Sequence, residues 1–273
     1  MDLRTILDPV ISLGAMGLIF GAGLAYASQK FAVEVDEKVS AVRAVLPGAN
    51  CGACGYPGCD GMANAIAAGE APVNGCPVGG ADVAEKVGEI MGVKADAQDK
   101  KVAKVLCDGD ITKCGDKFNY EGIQDCVAAA AIQGGSKACS YGCLGLGTCV
   151  EVCQFGAIEI VKGVAKIDPE KCTSCGKCIE VCPKNVIGWV PYEQSVVITC
   201  SNKDPGKIVR GICEVGCIGC KICVKNCPTN TIEFENNLAF INYDNCTNCF
   251  TCVEKCPANA IEGDLERKAK FNL

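Results

Sequence analysis

The chain has 273 residues, 25 cysteines, no histidine, 5% aromatic residues and a formal net charge of −6. Without histidine it cannot build by itself a Rieske centre, a His-ligated haem, a Cys/His zinc finger or a Ser-His-Asp triad, and no nucleic-acid partner is expected. A soluble part this poor in large apolar side chains must draw stability from elsewhere, and metal clusters would supply it.

The first element is a span of 21 uncharged residues, Pro9 to Gln29. As a helix it reaches roughly 30 Å, about the hydrocarbon thickness of a bilayer. Ala25-Tyr26-Ala27 also resembles a signal-peptidase site, but MDLRTILD is a poor positively charged leader and no twin arginine is present. A retained anchor over residues 1–30 is therefore expected. Lys30, Lys38 and Arg43 follow the span and only Arg4 precedes it, which places the cysteine-rich part on the cytoplasmic side of the cell membrane. Gly17-x3-Gly21 suits close packing against other membrane subunits.

A charged segment, Glu34 to Lys38, leads into residues 31–85, expected as an N-terminal [4Fe–4S] domain. Its ligands are Cys51, Cys54, Cys59 and Cys76, spaced x2, x4 and x16 among Gly48, Gly52, Gly55, Gly58 and Gly61. Glycines let the backbone turn sharply and bring amides close to cluster sulfurs. Four cysteines alone do not choose the metal, so zinc stays open at this site. Val83, Val87, Ile90 and Met91 recur at helical spacing, predicting a helix from 81 to about 105 within a helical connector over 86–135.

From Cys139 the sequence repeats itself. Ala157 to Cys172 matches Thr231 to Cys246 at an offset of 74, and the offset also relates cysteines 149/223, 153/227, 172/246, 175/249, 178/252 and 182/256. Both segments alternate apolar and polar residues about Lys162-Gly163 and Asn236-Asn237, which reads as β-hairpins. Two ferredoxin modules, 136–190 and 214–273, therefore lie in tandem around an insert, 191–213. The fold class is α+β: one N-terminal transmembrane helix, a small Fe–S domain and two bacterial-type 2[4Fe–4S] modules.

Cysteine-rich chains are disulfide scaffolds, zinc proteins or iron–sulfur proteins, and spacing separates them. Disulfide partners seldom fall in runs of Cys-x-x-Cys-x-x-Cys, and zinc sites use two short pairs per metal. The second module carries Cys217-x2-Cys220-x2-Cys223-x3-Cys227-Pro228 and Cys246-x2-Cys249-x2-Cys252-x3-Cys256-Pro257. In such runs the fourth cysteine ligates the other cluster. One cluster is then expected on Cys217, Cys220, Cys223 and Cys256, the other on Cys246, Cys249, Cys252 and Cys227. In the first module, Cys172, Cys175 and Cys178 pair with Cys153. Its other run is irregular, with Leu146 in the middle position and Gln154 where proline is usual, so Cys139, Cys143, Cys149 and Cys182 are expected together. Five cysteines are left. Cys107, Cys126, Cys200 and Cys213 are expected to converge on a sixth cluster and Cys114 to stand aside, the alternative being that all five are ordinary buried thiols.

The segments Pro47–Gly61, Lys137–Cys153 and Gly216–Pro228, in this order after an anchor, resemble the B subunit of the Rnf family, the ion-pumping ferredoxin:NAD oxidoreductases of bacteria, in the longer form of anaerobes. The resemblance covers nearly the whole chain. It implies that reduced ferredoxin docks transiently and hands electrons through the clusters to membrane partner subunits. Reduction of NAD and movement of Na⁺ or H⁺ then belong to those partners, because this chain has no dinucleotide fingerprint and one span. Lys94, Lys100, Lys101, Lys104, Lys113, Lys117, Lys177, Lys184, Lys221 and Lys225 are candidates for a docking patch, the bland alternative being a solvated face. A wire subunit of a membrane hydrogenase is the competing reading. A corrinoid methyl-transfer protein would share only the N-terminal domain.

Overall fold

The computed structural model describes residues 3–31, 36–95 and 99–270. Part of the charged segment expected at Glu34 to Lys38 lies outside the described residues. Helix α1 (Leu3–Lys30) contains the uncharged span. From Val10 to Lys30 its mean hydropathy is 1.8 and none of that stretch is buried against the rest of the chain, so by length and composition it is able to cross a membrane. Leu18, Phe20 and Leu24 are all exposed, an apolar surface with no partner within the chain.

Three helices make the next unit: α2 (Glu37–Val45), α3 (Gly58–Ala67) and α4 (Gly80–Met91). They close over Val42, Leu46, Met62, Ile66 and Val87, all buried. Asp36 caps α2 by accepting from the Lys38 N–H, and Arg43 Nε lies 2.7 Å from Asp60 Oδ1, tying α2 to α3. Helix α4 stops where Gly92 turns left-handed at φ 69°.

The expected helix over Val83, Val87, Ile90 and Met91 forms as α4 but ends at Met91 rather than near 105, and the connector is mostly not helical. Lys101–Val105 is a strand, β1, and the connector's helix is short, α5 (Cys126–Ala131). Val102, Ala103 and Val105 are buried along β1, which is partnered on one edge. Its partner is β4 (Ile187–Pro191), antiparallel, with Val105 opposite Ile187.

Both modules follow one plan. Hairpin β2 (Ile158–Val161) and β3 (Val164–Ile167) matches hairpin β6 (Ile232–Glu235) and β7 (Leu238–Ile241). Their turns have positive φ at both central residues, Lys162 and Gly163 in one, Asn236 and Asn237 in the other, the two-residue geometry that fits strand twist. Opposite the hairpin, β4 pairs with β1, while in the second module β8 (Ile261–Gly263) pairs with β5 (Val196–Ile198). Each module thus takes one strand from the segment that precedes it. The insert's strand β5 belongs to the second module's sheet for this reason. Helices α6 (Thr148–Glu151), α7 (Lys177–Glu180), α9 (Ile222–Asn226) and α10 (Thr251–Lys255) each carry one cysteine of a run, and α8 (Gly206–Ile212) precedes the second module. A last helix, α11, spans Leu265–Lys270.

The cores are small and contain thiols. The first module packs Val105, Ile158, Val164 and Ile187 with Cys107, Cys143, Cys149 and Cys178. The second packs Val196, Ile198, Ile232 and Ile261 with Cys223 and Cys252.

Gly145 has φ +72°, and a Cβ there would collide with the Gly163 carbonyl of the hairpin turn. Gly145→Ala should therefore cost more than the ~1–3 kcal/mol of a left-handed non-glycine residue. Gly211→Ala, on α8 with open space around it, should be neutral or slightly stabilising. Thermal unfolding of the two variants checks this; equal midpoints would reject the close approach.

Candidate metal centres

The cysteines gather in sets around apolar hollows. Cys51, Cys54, Cys59 and Cys76 line one of ≈ 330 Å³ with Leu46 and Met62. Cys153 joins Cys172, Cys175 and Cys178 around ≈ 340 Å³. Cys256 joins Cys217, Cys220 and Cys223 around ≈ 390 Å³, and Cys227 joins Cys246, Cys249 and Cys252 around ≈ 320 Å³. In three hollows, then, the fourth cysteine of a run crosses to the other run, as the spacing led us to expect.

Two cysteines change places relative to the sequence expectation. Cys126, expected with Cys107, Cys200 and Cys213, lies instead near Cys149. Burial pushes the Cys149 thiol up to about 12, and the charges of Cys143, Cys126 and Cys182 add to it. A local network fixes Cys126 there: its N–H donates to Thr148 Oγ1 at 2.7 Å, and that hydroxyl donates to Asp125 at 2.7 Å. Asp125 in turn caps α5.

Cys139, expected with Cys143, Cys149 and Cys182, lies in another hollow of ≈ 350 Å³ with Cys107, Cys114, Cys200 and Cys213. Cys114, expected to stand aside, is there too. It shares a hydrogen bond with Cys213, which holds Cys114 down to about 6 and raises Cys213. Gly109 makes room: a Cβ there would sit 3.1 Å from Cys213 Sγ and 3.2 Å from Cys114 Cβ. The sequence contained the signal. The offset of 74 also relates Cys139 to Cys213. Cys107 and Cys200 each stand two residues beyond a strand, β1 and β5, that plays the same part in its module. The five-thiol hollow is thus a junction to which each module sends an equivalent pair.

These residues fit iron–sulfur cages. None of the 25 cysteines is in a disulfide. Among the described residues no group of His, Cys, Asp or Glu is drawn tightly enough for a single ion, whereas zinc needs its sulfurs at about 2.3 Å from one centre. Burial drives Cys178 and Cys252 up to about 12 and Cys200 and Cys223 up to about 11, because thiols crowded in apolar surroundings do not ionise together. A cationic cage among them removes that conflict. Peptide N–H groups also aim at sulfur. Ala157 donates to Cys153 Sγ and Ala260 to Cys256 Sγ, both at 3.4 Å. Such donors stabilise thiolates and tune a cluster. The modules differ at one corner: burial would raise Cys227, but the hydroxyls of Thr231 and Thr229 hold it down to about 7, where the first module has Ala157 and Phe155.

Contacts also run from hollow to hollow. Burial pushes Cys175 up, and the charge on Cys51 adds to it. The Cys143 N–H donates to Cys107 Sγ at 3.5 Å, and the Cys217 N–H donates to Cys200 Sγ at 3.2 Å.

The lysines are less free than their number suggests. Lys104 pairs with Glu262 at 3.0 Å and Lys113 with Asp108 at 2.8 Å. Lys100 lies over Tyr192, and Lys221 lies over Phe234. Lys117 donates to the Gln133 carbonyl and Lys184 to that of Gly134.

Comparison with known proteins follows the same division. An Fe-S cluster family matches residues 46–78, a 4Fe-4S binding domain 139–157 and another 165–188, and a 4Fe-4S dicluster domain 216–264. None of these matches reaches Cys107, Cys114, Cys126, Cys200 or Cys213. The chain is 53% identical over 243 residues to the B subunit of the Na(+)-translocating ferredoxin:NAD(+) oxidoreductase complex of Acetobacterium woodii, covering 89% of this chain and 73% of that protein. It is 45% identical to the proton-translocating counterpart of Clostridium ljungdahlii, covering 88% and 85%. It is 41% identical to the B subunit of an ion-translocating oxidoreductase complex of Methanosarcina acetivorans, covering 87% and 90%.

The exchange of Cys126 and Cys139 is testable. Cys126→Ser and Cys182→Ser should each remove about four irons and abolish the same EPR signal, four being the content of one [4Fe–4S] cage. Cys126→Ser behaving like Cys200→Ser instead would restore the sequence expectation.

Proposed function

The chain belongs to the Rnf family as a B subunit of ion-translocating ferredoxin:NAD⁺ oxidoreductase complexes, and from that membership we propose how its thiols divide the work. It is an iron–sulfur electron-transfer protein, associated with a membrane and with other subunits of its complex. Our reading gives it six [4Fe–4S] clusters in one line. From the anchor outward, their ligands are Cys51, Cys54, Cys59 and Cys76; Cys153, Cys172, Cys175 and Cys178; then Cys126, Cys143, Cys149 and Cys182. The fourth cluster, at the junction, takes Cys107, Cys139, Cys200 and Cys213, with Cys114 beside them. Cys217, Cys220, Cys223 and Cys256, then Cys227, Cys246, Cys249 and Cys252, complete the line.

One observation carries this order: a ligand's peptide N–H on each side of the junction, Cys143 and Cys217, donates to a thiol inside it. Each cage, when bound, accepts and releases one electron. The chain's own residues hold the cages, exclude water with small apolar side chains, and aim peptide N–H groups at the sulfurs.

Reduced ferredoxin, in this reading, donates at the second module. The two exposed cysteines of the chain, Cys220 and Cys249, are both there, and Lys221 follows Cys220 directly. Lys221 and Lys225 are then the leading candidates among the lysines for meeting an acidic donor. Electrons leave toward membrane partners at the N-terminal domain, which follows the anchor. The iron–sulfur part faces the cytoplasm, where thiols stay reduced.

Anaerobically purified protein should contain about 24 irons per chain, at four per cluster. A Cys139→Ser/Cys200→Ser variant should keep about 20, and reduced ferredoxin should then reduce only the second module's two clusters. Reduction of the remaining clusters at the wild-type rate would reject the line. Reversing Lys221 and Lys225 to Glu should slow reduction by ferredoxin at low salt by at least about ten-fold and flatten its salt dependence; an unchanged salt profile would move the docking site elsewhere.

A further inference from the structure

Lys137 is a buried cation with no carboxylate partner. Its residue is 6% exposed, and among the described residues no carboxylate lies within ion-pair distance of its ammonium. Asp116 meets it only through a backbone bridge, and that carboxylate accepts from Ser136. Lys113, next to Cys114, is paired with Asp108, and Lys117 and Lys184 are turned to backbone carbonyls. The Lys137 ammonium donates to the Cys143 carbonyl at 2.8 Å, and the residue lines the junction hollow with Cys107, Cys114, Cys139, Cys200 and Cys213. Its stem passes where Gly142 has no side chain, since a Cβ there would lie 3.0 Å from Lys137 Cδ. At the corresponding place in the second module, 74 residues on, stands Gly211, so the charge belongs to one side of the junction only.

A buried charge needs a compensating charge of opposite sign. Here the available one is the negative charge of the thiolate-held clusters on either side: the junction set and the Cys126, Cys143, Cys149 and Cys182 set. Reducing either cluster adds one more negative charge, and a fixed ammonium beside it favours the reduced form. We propose that Lys137 is the tuning residue of the relay, a fixed positive charge shared by these two neighbouring clusters that raises the reduction potential of one or both. It rests on the six-cluster reading above. Lys137 neither ligates iron nor touches a substrate. Its effect is to keep the passage between the two ferredoxin modules from becoming the step at which electrons are hardest to place.

The test is an EPR-monitored potentiometric titration, with iron counting, of the anaerobically purified wild-type chain and of K137Q and K137M. Glutamine keeps a donor for the Cys143 carbonyl and removes the charge; methionine removes both. K137Q should retain the wild-type iron content. At the wild-type midpoint potential the reduced-to-oxidised ratio of its affected cluster should be at least ten-fold lower, which is a shift of about 59 mV or more to the negative side for a one-electron couple. K137M should move the same cluster in the same direction. Full iron in K137Q with unmoved midpoints would overturn the proposal. So would a shift in K137M absent from K137Q, which would assign the effect to the hydrogen bond. Loss of iron by K137Q would make the lysine a prop rather than a tuning charge. Wild-type protein with about 20 irons would instead overturn the six-cluster reading on which the proposal stands.

Discussion

Thiols packed into an apolar hollow cannot carry their charges together unless a cation sits among them. Most of this structure follows from that conflict. At Cys149, Cys178 and Cys252 burial and neighbouring thiols drive the thiol up to about 12. The cores of both modules contain these same sulfurs, packed against a few valines and isoleucines. Cluster binding and folding are one process in such a domain, because the metal resolves the charge problem that folding creates.

The crossing of the fourth cysteine serves two ends. In our reading it joins the two halves of each module through a pair of cages and holds those cages side by side. The strand taken from outside each repeat extends the same logic. β1 and β5 close the sheets of their modules and then deliver Cys107 and Cys200 to one shared hollow. A single duplicated plan thus produces a third kind of site, which exists in neither copy alone.

Electron relay asks little movement of a protein and much of its fixed charges and dipoles. The copies differ at such points. Thr229 and Thr231 put hydroxyls on Cys227 where the first module has Phe155 and Ala157. Lys137 has a glycine as its counterpart. The anchor contributes no redox chemistry. Its exposed apolar surface is long enough to associate the relay with a membrane.

The sequence by itself determined whatever depends on neighbours along the chain. The runs of cysteines, the hairpins about Lys162-Gly163 and Asn236-Asn237, the uncharged span and the crossed ligation of the regular runs are all written in short spacings. Family membership was legible for the same reason. Tertiary structure decided whatever depends on distant segments meeting. Residues 101–105 read as the end of a helix, but pairing with β4 makes them a strand. Cys126 and Cys139 are separated from their partners by loops whose closure no local pattern encodes. The Cys126 N–H donating to Thr148 and the Asn202 amide donating to Cys139 Sγ hold each in its place. A ligand carried on a tight turn is fixed by backbone geometry within a few residues. A ligand contributed by a neighbouring element is fixed by packing, and packing is known only once the chain has closed on itself.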